Sequence, residues 1–201
     1  NGTLLPHQQE AVDRFLKAKD KKMFLFMSCG TGKTLTALMC DLDLGQRILI
    51  FAPPNIVKNK VWEKCAEEFD IENYIEVHSL YQTKEVDTSQ FGLLIIDECH
   101  RIKNPATAVA KRIKKVASKF DRVLGLTGTW APNGYQDTWG MARVLGIPMF
   151  EEQNKNKFIE NYYHTRPLLV TTNWGKSAIP IPYKIKKNTD LFERIDKHAY
   201  V

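Results

Sequence analysis

The chain has 201 residues, 43% of them apolar and 26% charged, with a formal net charge of +6. That balance fits one well-buried globular domain with at most an appendage, and it excludes a disordered chain. No apolar run approaches the ~20 residues a membrane helix needs, no charged-then-apolar pattern opens the chain, and the positive charge favours a polyanionic partner.

In chain order, apolar runs of strand length alternate with amphipathic stretches of helical length. A helix is expected over 7–18, then a strand over 23–27. A helix over 33–44 follows, with Leu35, Leu38, Met39 and Leu42 on one face and Gly45 placed to end it. Next come a strand at 48–52, a helix at 56–69, and strands at 74–77 and 93–96. A helix at 106–119 and a strand at 123–126 complete the alternation. The strands are apolar at consecutive positions, as strands covered on both faces are. The expected fold class is therefore α/β, a mostly parallel sheet flanked by helices on both faces.

The polar run 151–157 looks like a boundary. It divides a lobe at 1–150 from an extension of that lobe at 151–201, which is too short for a second core. Helix-like stretches in the extension lie at 158–163 and 191–199. Cys29, Cys40, Cys65 and Cys99 show neither C-x-x-C pairing nor metal-ligand spacing, so reduced thiols in an intracellular, reducing compartment are expected.

The stretch Met27-Ser28-Cys29-Gly30-Thr31-Gly32-Lys33-Thr34 stands between an expected strand and an expected helix, the context a phosphate loop requires. Gly30 and Gly32 let the backbone turn its N–H groups toward phosphate oxygens, and the helix adds the positive end of its dipole. Lys33 would reach the β- and γ-phosphates and Thr34 would ligate Mg²⁺. An ordinary strand–turn–helix corner is the alternative. Downstream, the apolar run ending at Ile96 leads directly into Asp97-Glu98-Cys99-His100. Carboxylates at the carboxyl end of a strand stand where open α/β sheets bind ligands. Asp97 can hold the magnesium of Mg·ATP, and Glu98 can orient or deprotonate an attacking water. Alone, such a pair is an ordinary solvated turn; paired with the loop upstream it gains meaning.

Together these motifs resemble the superfamily-two helicases and translocases. Leu5-Pro6-His7-Gln8, the run Asp97 to Asn104, Leu126-Thr127-Gly128-Thr129 and the Asn133 to Trp139 spacing resemble the Swi/Snf-like branch. Cys99 and Trp130 depart from its commoner alanine and proline. The resemblance covers roughly residues 4 to 146. It implies a RecA-like P-loop lobe using ATP and Mg²⁺, with Gln8, Gly30, Thr31, Gly32, Lys33 and Thr34 holding the nucleotide. It implies catalysis by Lys33, Asp97 and Glu98, with Thr34 and Asp97 on the metal. His100, Thr127 and Thr129 would couple the nucleotide state to the track. Pro53, Asn55, Arg101, Lys103 and Asn133 would touch nucleic acid, duplex DNA in preference to single strands.

Two departures accompany the resemblance. The interval between Trp62 and Asp97 is short, with one strand candidate, and no Gln-x-x-Gly-Arg-x-x-Arg pattern occurs in the chain. The arginine-bearing second lobe is therefore expected elsewhere in a longer parent chain, and this lobe alone is expected to hydrolyse ATP weakly. Lys111, Lys115 and Lys119 share one side of an expected helix, either facing phosphate or simply solvated. Aromatics and cations interleave in the tail, among them Tyr163, Arg166, Trp174, Tyr183 and Lys184, which suits strand stacking or a packed rim equally. A stand-alone ATP-binding module that binds nucleic acid or a protein without moving is the competing expectation. A metabolic P-loop kinase explains neither Thr127-Gly128-Thr129 nor the extended box.

Overall fold

The computed structural model describes residues 4–41, 46–82, 85–129, 131, 133–172, 175–187 and 189–200. Leu42, Leu44, Gly45, Trp130 and Trp174, which carry expectations above, lie outside the described residues. Helix α1 (Pro6–Lys17) opens with proline in its first turn, and Gln8 turns its Oε1 back to accept from Leu5 N at 2.8 Å. Strand β1 (Lys22–Leu25) runs into the glycine-rich loop and α2 (Lys33–Met39). After β2 (Arg47–Ala52) the single expected helix is two, α3 (Pro54–Lys58) and α4 (Val61–Glu67). The break falls at Lys60, whose φ of 51° leaves the right-handed region between them.

Strands β3 (Ile75–Ser79), β4 (Phe91–Ile96) and β5 (Val123–Leu126) follow, with α5 (Ala108–Ala117) between the last two. The Thr107 hydroxyl accepts from Ala110 N at 3.2 Å and starts α5, while Lys114 and Lys115 suit its C-terminal end. Helix α6 (Gln136–Leu145) has no counterpart among the expected elements, and Gly146 ends it at φ 67°. Asn154, in the polar run read as a boundary, caps α7 (Lys155–Tyr162) by accepting from Lys157 N at 2.9 Å. The run is therefore also a helix start. An antiparallel hairpin, β6 (Tyr163–Thr172) and β7 (Gly175–Ile185), precedes α8 (Leu191–His198) and β8 (Ala199–Tyr200).

Six strands form one parallel sheet in the order β3-β2-β4-β5-β1-β8. Strand side chains alternate between the faces. Phe24, Leu49, Phe51, Leu94 and Ile96 join a core beneath α5, α6, α7 and α8. Met23, Leu25, Ile48, Ile50, Leu93 and Ile95 join another beneath α1, α2 and α4. Both faces are dry, which is why the strands read as unbroken apolar runs. Residues beyond 150 share the first core: Phe158, Tyr162, Leu191, Ile195 and Ala199 are buried in it. Phe26 N also donates to Tyr200 O at 2.7 Å. Among the described residues no helix is long and apolar enough to cross a membrane.

Candidate nucleotide-binding site

In a parallel sheet all strands end on one edge, and the sheet order decides which loops meet there. Strand β5 lies between β1 and β4, so the loop after β1, the Asp97–Glu98 pair after β4 and Thr127 after β5 leave from three adjacent strands. Residues far apart in the chain thereby share one edge.

The loop after β1 turns through two glycines, Gly30 at φ 81° and Gly32 at φ 80°. A Cβ on Gly32 would stand 2.1 Å from Gln8 Nε2 and push that side chain aside, while the φ of 80° itself favours glycine. Gln8, itself buried, donates from Nε2 to Thr31 O at 3.2 Å, and His7 Nε2 lies 3.1 Å from the same oxygen. The Thr31 hydroxyl donates to Ser28 O at 2.8 Å. Lys33 Nζ donates to Met27 O at 2.9 Å and Ser28 O at 3.2 Å, which folds its ammonium across the loop. Thr34, half-buried, lines a cleft of about 450 Å³ between α2 and α4.

Across the edge, Asp97 is held by two donors. Glu98 N donates to Oδ1 at 2.9 Å and Trp62 Nε1 to Oδ2 at 3.1 Å. Burial pushes the Asp97 carboxyl above its ordinary range, and the charge of Glu98 adds to this; the Trp62 bond and the charge of Lys33 oppose it. Glu98 has φ 48°, a left-handed conformation uncommon for a non-glycine residue. Its Oε2 accepts from Thr127 Oγ1 at 3.3 Å and lies 3.1 Å from His100 Nδ1. His100 Nδ1 is 2.9 Å from the Thr127 hydroxyl, which also accepts from Thr129 N at 3.0 Å. With the proton on Nδ1, His100 donates toward Thr127 Oγ1 and Glu98 Oε2, both of which can accept. Glu98, His100, Thr127 and Thr129 thus form one hydrogen-bonded unit linking β4 to β5.

The residues expected to touch nucleic acid divide. Pro53, buried, and Asn55, exposed, start α3 at the same carboxyl edge beyond β2. Arg101 is exposed and its Nη1 donates to Tyr81 OH at 3.3 Å. Lys103 Nζ instead donates to Asp137 Oδ2 at 2.9 Å, and Asn133 reaches the same oxygen from its backbone N at 3.0 Å and Nδ2 at 3.2 Å. Asp137, an acidic residue near a helix start, carries no motif of its own in the sequence. His7 stands in the sequence only within the Leu5–Gln8 motif, and no local signal marks Trp62 as a partner of Asp97. The stripe on α5 lies elsewhere, with Lys115 paired to Glu85 at 2.9 Å. Among the described residues no cluster of three or more His, Cys, Asp or Glu could hold a metal unaided. Magnesium that brings its own phosphate ligands needs only one or two protein oxygens, and the Thr34 hydroxyl and the Asp97 carboxylate are the oxygens that would hold it.

The model of the SNF2-related domain family matches residues 71–191, and that of the type III restriction enzyme res subunit matches residues 1–76. An uncharacterized ATP-dependent helicase of Bacillus subtilis (strain 168) is 24% identical over 200 residues, covering 83% of this chain and 35% of its own. A protein of Acanthamoeba polyphaga mimivirus named for ATP-dependent RNA helicase activity is 27% identical over 194 residues, covering 82% and 35%. The SWI2/SNF2 ATPase core of Sulfolobus solfataricus in complex with double-stranded DNA matches with a TM-score of 0.59 at 24% identity, over 80% of this chain and 39% of that one. The chain thus spans 35% of the length of these two curated relatives. It belongs to the SNF2-related domain family, within the Swi/Snf-like branch of superfamily-two helicases, and its six-stranded sheet has the RecA-like fold of that branch.

Proposed function

We propose that the chain is the N-terminal ATP-binding lobe of a motor that couples Mg·ATP hydrolysis to movement on duplex DNA. The observation that carries this reading is the meeting of Lys33, Asp97–Glu98 and Thr127 at adjacent strand ends, with Glu98 hydrogen-bonded to Thr127. On this reading the loop amides from Gly30 to Thr34 cradle the phosphates, and Lys33 exchanges its carbonyl partners for phosphate oxygens. Gln8 and His7, already seated on Thr31 O, hold the loop from the base side. A magnesium ion held by Thr34 and Asp97 would neutralise developing charge on the phosphates. Glu98 orients and deprotonates water, and His100 with Thr127 carries the state of Glu98 to the edge where Pro53, Asn55 and Arg101 stand.

Residues 151–201 extend this lobe toward a second lobe in the parent chain, which supplies the arginines that complete the site. The four free cysteines suit an intracellular, reducing compartment. The double-stranded DNA of the Sulfolobus complex supports the choice of track.

The test is ATP turnover by the whole protein with and without duplex DNA. Glu98→Gln should keep nucleotide affinity and lower turnover by about 10²–10⁴-fold, the usual range of general base catalysis. Stimulation by RNA and not by duplex DNA would assign the other track. Robust DNA-stimulated turnover by these 201 residues alone would refute the need for a second lobe.

A further inference from the structure

Lys103 and Asn133 are 30 positions apart, and both end on one oxygen of Asp137. Asp137 lies in the first turn of α6 and its side chain is 9% exposed, against 30% for Lys103. The turn Cys99–Ile102, which carries His100, and Lys103 directly after it meet the same helix at two further points. A Cβ on Gly140 would stand 1.8 Å from Lys103 O, so the two backbones touch. Cys99 Sγ lies 3.6 Å from Met141 Sδ, with both residues buried.

We propose that Asp137 is a positioning residue: through it Lys103 and Asn133 lock the turn bearing His100 to α6, and they serve turnover by that lock instead of gripping phosphate. This rests on the motor reading and revises the role that the motif alone assigned to two of its residues. A Lys103 that swung out to a phosphate would leave a desolvated carboxylate with only the donors of Asn133. Removing one partner of a buried pair is strongly unfavourable, whereas an exposed charge contact returns little. The ammonium is therefore more useful where it is. His100, three residues before a fixed Lys103 in a tight turn, inherits a fixed place beside Thr127 and Glu98. The lock thus acts on the junction through the backbone and touches no reacting atom.

The test uses the whole protein with Lys103→Gln, Asp137→Asn, their double variant and the conservative Asp137→Glu. Duplex-DNA affinity is measured against salt concentration, together with steady-state ATP turnover. A lost phosphate contact flattens the log–log salt slope by about 1. The expected result is an unchanged slope in every variant. DNA-stimulated kcat should fall about tenfold in each single variant and no further in the double, with KM for ATP held. Asp137→Glu should recover most of the loss. A flattened slope in Lys103→Gln with a normal Asp137→Asn would overturn the proposal, as would losses that multiply in the double variant. Should Asp137→Asn fail to melt cooperatively, Asn133→Ala replaces it in the same cycle, since it removes one donor to that carboxylate. A wild-type protein without DNA-stimulated turnover refutes the motor reading and this inference with it; a working motor whose variants behave otherwise refutes the inference alone.

Discussion

The indole of Trp62 donates to Oδ2 of Asp97 across 3.1 Å, although the two residues are 35 positions apart. The break at Lys60 makes this reach possible, because Trp62 starts a new helix with its side chain fully buried beneath the carboxyl edge of the sheet. With Glu98 N on the other oxygen, the carboxylate is oriented before any ligand arrives. Trp62→Phe keeps the bulk and removes the donor. Removing a donor that orients a metal-ligating carboxylate lowers metal affinity by about tenfold or more. ATP affinity should therefore weaken when Mg²⁺ is present and hold when it is chelated, as read by a fluorescent ATP analogue. Equal weakening in both conditions would mean that Trp62 supports the loop and not the metal position.

Lys33 sits over two carbonyls of its own loop and is only half-buried. Its removal should cost the fold about 1 kcal/mol or less. Its charge-assisted bonds to phosphate are stronger, so Lys33→Ala should lower ATP affinity by about 100-fold, some 2.7 kcal/mol. Calorimetric titration and melting separate the two effects. Unchanged affinity would refute the phosphate-loop assignment.

Asp97 ties stability to pH in a direction opposite to that of a salt-bridged carboxylate. Burial raises its pKa above the ordinary 3.8, so the folded state holds this proton more tightly than the unfolded state. The stability it contributes is fully present below the unfolded pKa and is lost as pH rises through the folded one. Metal binding needs the ionised form, so stabilisation by Mg·ATP should grow over the same interval. Melting curves from about pH 4 to about pH 7, with and without Mg·ATP, should show these opposite trends. Asp97→Asn should flatten both relative to wild type; parallel curves for variant and wild type would deny Asp97 the role.

Gly140 marks the closest approach of α6 to the turn behind the Asp97–His100 box, at 1.8 Å from Lys103 O for a would-be Cβ. The obstacle is backbone, so it cannot rotate away. Gly140→Ala should destabilise by about 1–3 kcal/mol, the cost of forcing a methyl group into a packed contact. Urea unfolding measures it. A neutral or stabilising result would show that α6 can slide.

Much of the site was legible because its chemistry is local. Two glycines, a lysine and two threonines in eight residues make a turn suited to phosphate by their own conformational needs, and the loop stands between β1 and α2 as expected. Four of the five expected strands, β1, β2, β4 and β5, exist for a similar reason, since strands covered on both faces are largely apolar. Strand β3, at the sheet edge, is instead half-buried and carries Glu76, His78 and Ser79. Legibility failed where partners are distant. Helix α6 carries a glycine at its centre, which lowers helix propensity; the contact with Lys103 O that requires the glycine comes from another segment. The expected helix at 56–69 has no proline or glycine at its break, where Lys60 takes φ 51° just before the buried Trp62. Strand β8 has two residues, too few for any period, and exists only as a partner of β1.

The sequence by itself determined the elements and the residue types at their ends: which strands are dry, which loop can turn about phosphate, and which strand ends in paired carboxylates. These follow from neighbours in the chain, through backbone sterics and side-chain period. Only the tertiary structure decided that β5 lies between β1 and β4, so that Thr127 joins Glu98 beside the loop of Lys33, and that Lys103 and Asn133 answer to Asp137. Those relations depend on sheet order and burial, where a hydrogen bond is chosen by what remains unpaired once water has gone.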